Sequence, residues 1–236
     1  MNIKRLDKII SSQYGISRSV TKAIIHRGKV KVDGAVVRDP SLQVDIDSVR
    51  IEYKGQALSY KEHVYIIMNK PKGVLSASED KTRETVVDLV PPELSRQGLF
   101  PVGRLDRDTT GLLIITDDGD FAHNVISPKK NIIKTYRVIL DGEVTDDMVR
   151  LFGDGVVLAD GTKCKKAILR RIDENSAEIK ITEGKYHQIK RMFGVVGLGV
   201  NELKRIALGN LKLPENMSEG EARELSEAEK FQIFDN

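Results

Sequence analysis

The sequence is short of the residues that staple or anchor a chain. Cys164 is its one cysteine, so no intrachain disulfide can form and a reduced compartment is the expected setting. No stretch approaches the roughly 20 apolar residues of a membrane span. The start, Met1-Asn2-Ile3-Lys4-Arg5, lacks the apolar core of a secretion signal. A cytoplasmic location with no membrane partner is therefore expected. The four histidines, His26, His63, His123 and His187, are scattered and have no cysteine pairs to join them, which argues against a structural zinc site. Internal repeats and low-complexity segments are also missing, which leaves a chain long enough for one sizeable core or a core plus a small module.

What is present is unevenly placed. The net charge is only +3. Residues 1–54 carry 11 Lys and Arg against 6 Asp and Glu, while the remainder carries 27 against 29, so the two portions net +5 and −2. Within residues 1–31 Asp7 is the sole acid against eight bases. A basic end on a near-neutral body fits a module that contacts RNA or DNA. A solvated helix face would give the same count.

The apolar pattern divides the chain in the same way. Ile3, Leu6, Ile9 and Ile10 recur at helical spacing, and Ser17 is placed to cap a second helix that carries Val20, Ala23, Ile24 and Ile25 and ends near Gly28. Residues 29–37 alternate and turn at Asp33-Gly34, a hairpin signal, and 49–53 reads as a closing strand. Two short helices and a small sheet predict a first domain over residues 1–58. The polar stretch 55–62 reads as a linker. A second domain over 62–236 mixes strand signals at 64–68, 112–115, 134–140, 167–172 and 177–181 with helix signals at 120–127, 146–152 and 186–196. Ser226 with Glu229 three residues on forms a capping box for a short terminal helix. Strands outnumber helices and do not alternate with them regularly. The prediction is an α+β domain with a mixed, largely antiparallel sheet rather than a doubly wound parallel one.

The densest chemistry lies in Gly103-Arg104-Leu105-Asp106-Arg107-Asp108-Thr109-Thr110-Gly111-Leu112-Leu113. Charged groups beside a buried apolar strand are costly unless paired, so the stretch suggests a site. Asp106, Asp108, Thr110, Gly111 and Asp117 fall at positions 1, 3, 5, 6 and 12 of an EF-hand loop. Position 9 offers no oxygen, the last ligand is a short aspartate, and Pro101 and Gly103 interrupt any incoming helix, so calcium fits poorly. Asp106-x-Asp108-x-Thr110 also matches the signature of aspartate-nucleophile phosphatases. There the motif follows a buried strand, whereas here it precedes one, and no glycine loop of the G-x-x-x-x-G-K type exists. The third reading is a single working carboxylate with partners elsewhere. Candidates are Tyr136 in Lys134-Thr135-Tyr136, the turn and basic run from Glu183 to Phe193, and the turn Lys70-Pro71-Lys72-Gly73.

Two resemblances organise these residues. Arg5-Leu6-Asp7-Lys8, then Ser17-Arg18-Ser19 with Lys22 and Ile25, then Arg27-Gly28-Lys29-Val30-Lys31-Val32-Asp33-Gly34 resemble the S4 RNA-binding domain, with its α-L-like fold. The resemblance implies that Arg5, Arg18, Lys22, Arg27 and Lys29 line one face that grips RNA phosphates and positions the protein without reading sequence. The order Lys-Pro-x-Gly, Gly-Arg-Leu-Asp-x-x-Thr-x-Gly-Leu, Lys-Thr-Tyr and Glu-Gly-x-x-x-Gln-Ile-Lys-Arg-Met is similar to the RsuA-like pseudouridine synthases, which modify ribosomal RNA and often carry an S4 domain in front. This second resemblance, with the S4 unit, spans nearly the whole chain.

It implies an isomerase that breaks the N-glycosidic bond of a uridine, rotates the base and rejoins it through C5, with no cofactor and no metal. Asp106 is the implied catalytic carboxylate, able to stabilise charge at C1′, bond to it, or take a ribose proton. Lys190 is its implied cationic partner. Tyr136 is implied to offer a stacking face to the target base and a hydroxyl for removing the C5 proton. Arg104 is implied to hold or replace the flipped nucleotide, Thr109 to orient the loop, and Leu112 and Ile189 to wall the base pocket. Arg107, Asp108 and Thr110 fall at variable positions. The Tyr-His-Gln-Ile-Lys-Arg-Met-Phe form of the last motif resembles the small-subunit branch more than the large-subunit branches. The expected partner is therefore 16S rRNA or a small-subunit assembly intermediate, met by a monomer, with 23S rRNA as the alternative.

Plainer readings stand beside these. Tyr136 could be a core strand residue, and Arg104 could pair with Asp108 or Asp120. Lys70 and Lys72 read as structural or phosphate-contacting, His187 as a pocket-rim or satisfied histidine, Cys164 as packing, and Asp108 and Asp117 as loop scaffolding. For the whole chain the rival is an RNA-binding assembly factor that kept the fold without the activity. Intact Asp106, Tyr136 and Lys190 argue against it.

Overall fold

The structure, a computed structural model, describes residues 2–235. Its tertiary contacts form two units. One runs through Val64 and takes in Pro92–Leu99; the other comprises Tyr65–Pro91 and the chain from Phe100 onward. The expected boundary near residue 60 places 92–99 in the second body, and the first unit holds it instead. Arg96 donates through Nη1 and Nη2 to the carbonyls of Lys61 and Glu62 at 3.0 and 2.9 Å. The backbone of Ser95 and Arg96 also packs on Gly15, where an added Cβ would meet it at 3.3 Å.

In the first unit β1 (Ile3–Arg5), α1 (Leu6–Tyr14), α2 (Arg18–His26), β2 (Val30–Val32), β3 (Ala35–Val37), β4 (Gln43–Asp45), β5 (Ile51–Tyr53) and β6 (Gln56–Ala57) follow in order. β3-β2-β5-β6 form one antiparallel sheet and β1 pairs with β4. Ile3 belongs to a strand and is exposed, so the helix begins three residues later than its spacing suggests. Leu6, Ile9 and Ile10 share one helical face and pack with Ile25, Val30, Val44, Ile51 and Tyr53. Ser17 caps α2 by accepting from the Val20 amide, as its position predicts. The buried face of α2 is Thr21 and Ile25; Val20 and Ala23 point to solvent. Asp33 and Gly34 both adopt positive φ, 49° and 80°, which is the two-residue turn that matches strand twist. Lys54 and Gly55 do the same at 55° and 77°, so the expected linker opens as a second hairpin into β6.

The second unit contains β7 (Tyr65–Lys70), β8 (Phe100–Pro101), β9 (Thr110–Thr116), α3 (Gly119–Ile126), β10 (Lys134–Leu140), α4 (Asp146–Asp154), β11 (Ile168–Arg171), β12 (Ser176–Ile181), α5 (Gln188–Val195), β13 (Val200–Leu208), β14 (Leu211–Lys212), β15 (Ala222–Glu224) and α6 (Glu227–Gln232). One sheet runs β11-β12-β10-β13-β9-β7-β15, with β14 beside β13 and β8 beside β9. Only the β13–β9 contact is parallel, so the sheet is mixed and largely antiparallel. β9 is interior, and every residue from Gly111 to Thr116 is buried, which explains its unbroken apolar run. Leu112, Leu113, Ile114 and Ile115 are fully buried, each contributing about 1.5–3 kcal/mol. Leu112 and Ile114 share a core with Ile67, Val102, Val125, Leu208 and Ile233. Phe152 of α4 meets Phe193 of α5 with ring centroids 4.9 Å apart. The long central strand β13 has no counterpart in the sequence reading, because its inward face, Leu203-x-Arg205-x-Ala207, carries an arginine that breaks the apolar alternation. No described helix is long and apolar enough to cross a membrane.

Candidate active site

The aspartate-rich loop enters β9, and its shape is set from below by the Lys70-Pro71-Lys72-Gly73 turn. Lys70 is fully buried, and its Nζ donates to the carbonyls of Pro71, Arg107 and Thr109 at 3.0, 3.3 and 3.0 Å. Burial pushes its ammonium down to about 8, against the pull of Asp108 and Asp106. Gly73 and Arg107 exchange two bonds, Gly73 N–H to the Arg107 carbonyl at 2.8 Å and Arg107 Nε to the Gly73 carbonyl at 3.0 Å. The Ser76 hydroxyl binds both backbone groups of Leu105. Within the loop the Thr109 amide donates to the Asp106 carbonyl at 3.0 Å. This bracing accounts for Lys70 as a structural residue that fixes where Asp106 stands.

Above the loop is a cleft of about 80 Å³ whose lining includes Arg104, Asp106, Thr109, Tyr136, His187, Ile189 and Lys190. Tyr136 comes from β10 and is buried at 7 % exposure. His187 and Lys190 come from the start of α5. That start is fixed by a buried pair: Gln188 Nε2 donates to Glu183 at 2.8 Å, and Gln188 Oε1 accepts from the Lys185 amide at 2.9 Å. The Glu-Gly-x-x-x-Gln spacing is thus a brace for the helix end. Arg205 of β13 lies opposite Tyr136 in register and is 3 % exposed. Its Nε donates to the Leu112 carbonyl at 2.7 Å, while its Nη2 is buried without a partner among the described residues.

Lys190 faces two carboxylates. Its Nζ is 2.5 and 2.6 Å from the two oxygens of Asp108 and 3.8 Å from Asp106 Oδ2. The resemblance implies Asp106 alone as its partner, with Asp108 as scaffolding; Asp108 takes the closer contact. The hydrogen bond from Lys190 holds the Asp108 carboxyl below the usual carboxylate range. The folded state gains from that pair above the ordinary carboxylate range and loses it as pH falls through the lowered value. His187 Nε2 stands 3.5 Å from Asp106 Oδ1, beyond good hydrogen-bond length.

Other expectations divide. Ile189 lines the cleft and is 4 % exposed. Leu112 does not line it; it is a core residue on the face that packs against Ile67 and Val125. Thr109 lines the cleft, but its hydroxyl has no partner among the described residues, so the loop is oriented by Lys70 and the backbone instead. Arg104 is exposed at the cleft and has no ion pair to Asp108 or Asp120 among the described residues. Cys164 is buried. No group of three or more His, Cys, Asp or Glu among the described residues is arranged to hold a metal ion.

In the first unit Arg18, Lys22, Arg27 and Lys29 are all exposed, with Arg18 and Lys22 one turn apart on α2. Arg5 is different. It is bound to Asp7 at 3.0 and 2.7 Å and holds that carboxyl below its usual range, so much of its charge is already answered within the chain.

The comparisons agree with this layout. The sequence profile for RNA pseudouridylate synthase matches residues 64–194, and that for the S4 domain matches residues 4–49. An uncharacterized RNA pseudouridine synthase of Bacillus subtilis, YtzG, is 44 % identical over 95 % of this chain and 96 % of its own. The ribosomal small subunit pseudouridine synthase A of Escherichia coli K12 is 37 % identical over 95 % of this chain and 97 % of its own. A crystal structure of a pseudouridylate synthase, 34 % identical, superposes with a TM-score of 0.69 over 97 % of this chain and 99 % of that one. With the S4 match and relatives that it covers almost end to end, the chain that gathers a loop carboxylate, a strand tyrosine and a helix lysine in one cleft belongs to the RsuA-like RNA pseudouridine synthases, isomerases acting on RNA.

Proposed function

We propose that the chain isomerises one uridine of 16S rRNA to pseudouridine in the cytoplasm, acting as a monomer, with Asp106 as the catalytic carboxylate. The observation that carries this reading is the convergence of Asp106, Tyr136 and Lys190 on one cleft. Asp106 meets the sugar of the flipped nucleotide and answers the positive charge that develops as the glycosidic bond breaks. Tyr136 stacks on the uracil, and its hydroxyl handles the C5 proton. Lys190 sets one positive charge between two neighbouring carboxylates, 2.5 Å from Asp108 and 3.8 Å from Asp106. Arg104, exposed at the cleft, holds or replaces the flipped nucleotide. Arg18, Lys22, Arg27 and Lys29 grip phosphates, with Arg5 in a lesser part. The name of the Escherichia coli relative supports the small-subunit target.

The test is direct. Purified protein is incubated with 16S and 23S transcripts and with partly assembled small subunits, and pseudouridines are mapped. The expected product is a single site in 16S rRNA. Product in 23S rRNA would move the target, and binding without product in any substrate would favour an assembly factor.

Lys190→Met tests the electrostatics. The variant removes the cation that Asp106 and Asp108 share, so kcat/KM is expected to fall by roughly 10- to 100-fold. The acidic limb of the pH–rate profile is expected to move to higher pH. A profile with an unmoved limb counts against Lys190 as the partner.

A further inference from the structure

Tyr186 is 77 % exposed, immediately beside cleft residues Lys185 and His187, yet its own ring does not line the cleft. The ring lies on the imidazole of His187, with centroids 3.9 Å apart and planes 21° from parallel. His187 in turn stands 3.5 Å from Asp106. The pair is held in an uncommon conformation. His187 has φ 47°, in the left-handed region that a residue with a Cβ rarely adopts. Its carbonyl accepts from the Arg191 amide at 2.9 Å, the Tyr186 carbonyl accepts from Arg191 Nη1 at 3.4 Å, and Arg191 is itself tied to Asp160 at 2.5 Å. A large ring therefore stands 77 % exposed to solvent with one face on an imidazole.

We propose that Tyr186 is a stacking platform for the nucleobase next to the uridine that enters the cleft. The inference rests on the proposed flipping of that uridine. Flipping leaves the neighbouring bases without a stacking partner. Single-stranded RNA bases are commonly held on aromatic faces, and any base can be held this way because each has a π-face. Tyr136 inside the cleft serves the target base, so the ring outside it serves a flanking one. His187 stiffens the platform from behind and links its position to Asp106. The tyrosine hydroxyl has no part in this, so phenylalanine should serve as well.

The probe is an RNA fragment carrying the unmodified target uridine, with 2-aminopurine in place of each flanking nucleotide in turn. Wild-type protein and Tyr186→Phe are expected to quench one of the flanking fluorophores, and Tyr186→Ala to leave it bright. Tyr186→Ala should raise KM about 5- to 150-fold, the range that stacking on one aromatic supplies, with kcat at saturation kept. Equal quenching and equal KM in wild type and Tyr186→Ala would overturn the proposal. So would a Tyr186→Phe variant as impaired as Tyr186→Ala, since that would assign the effect to the hydroxyl. Conversion of the fragment by wild-type protein is read separately. Quenching without conversion would retain the platform and reject the proposed reaction; conversion without quenching would do the reverse.

Discussion

Asp106→Asn is expected to abolish pseudouridine formation, by roughly 10,000-fold or more, while RNA binding persists. That is the scale on which enzymes lose rate when a central catalytic group is removed. The substitution keeps side-chain volume, removes the charge and exchanges one acceptor oxygen for an NH2 donor. Neither loop shape nor helix position should follow it. The Asp106 carbonyl still accepts from the Thr109 amide, and Lys190 still has Asp108 at 2.5 Å. What disappears is the ability to answer positive charge at the sugar, to bond to it, or to accept a proton from it. The exposed cations of the first unit and Arg104 are untouched. Activity is read as tritium release from 5-tritiated uridine in the RNA, and binding as a gel shift on the same RNA. A variant that keeps a tenth of the wild-type rate would remove Asp106 from the chemistry. Asp108→Asn is the companion measurement. It frees Lys190 from its nearer partner without touching the Asp106 carboxylate, so its loss of rate should be far smaller.

Gly111→Ala is expected to damage the fold severely, conservative as it is. Gly111 has φ 101°, where side chains are strained. It also lies where β9 meets β13, and a Cβ there would come within 2.2 Å of the Arg205 carbonyl oxygen and 2.8 Å of the Arg205 amide. Backbone cannot swing aside as a flexible side chain can. Strain and overpacking together cost about 2–6 kcal/mol, which for a chain of this size lowers Tm by roughly 5–20 °C. The parallel β9–β13 contact pairs only Lys204 with Thr110 and Arg205 with Gly111, so the substitution strikes half of its register. Gly153→Ala provides the contrast. Gly153 is helical and has nothing within 4 Å of its added Cβ, so its Tm should hold or rise slightly. Thermal melts of the two variants decide the matter. A Gly111→Ala protein that melts with wild type would mean that the two strands can separate without cost.

The sequence was most legible where one residue's local physics decides the outcome. Ser17 had to cap something, Asp33-Gly34 had to turn, and strand 134–140 alternates cleanly. The ordered motifs brought Asp106, Tyr136 and Lys190 together although 84 residues separate the first from the last. It was least legible where a side chain's role depends on a partner far along the chain. Arg205 looks like a surface base in a polar stretch, and only the sheet reveals that it is buried opposite Tyr136. Leu112 looks as suited to a pocket as to a core, and strand alternation about Gly111 sends it to the core. Asp108 looked like scaffolding because nothing local shows that Lys190 reaches it first. Lys70 carries no sign that its ammonium serves the Arg107 and Thr109 carbonyls of a loop that begins more than thirty residues later.

The eight residues Pro92–Leu99 have a practical consequence. They are encoded inside the span of the second unit but complete the first. Translation therefore delivers Lys61 and Glu62 well before Arg96 arrives to bind their carbonyls, and the first unit cannot finish until about a hundred residues have been made. A truncation at the boundary that the sequence suggests, near residue 60, would divide the first unit while leaving the second whole. A catalytic fragment made that way would carry a segment stripped of its seat, and the isolated RNA-binding fragment would lack the segment that closes it.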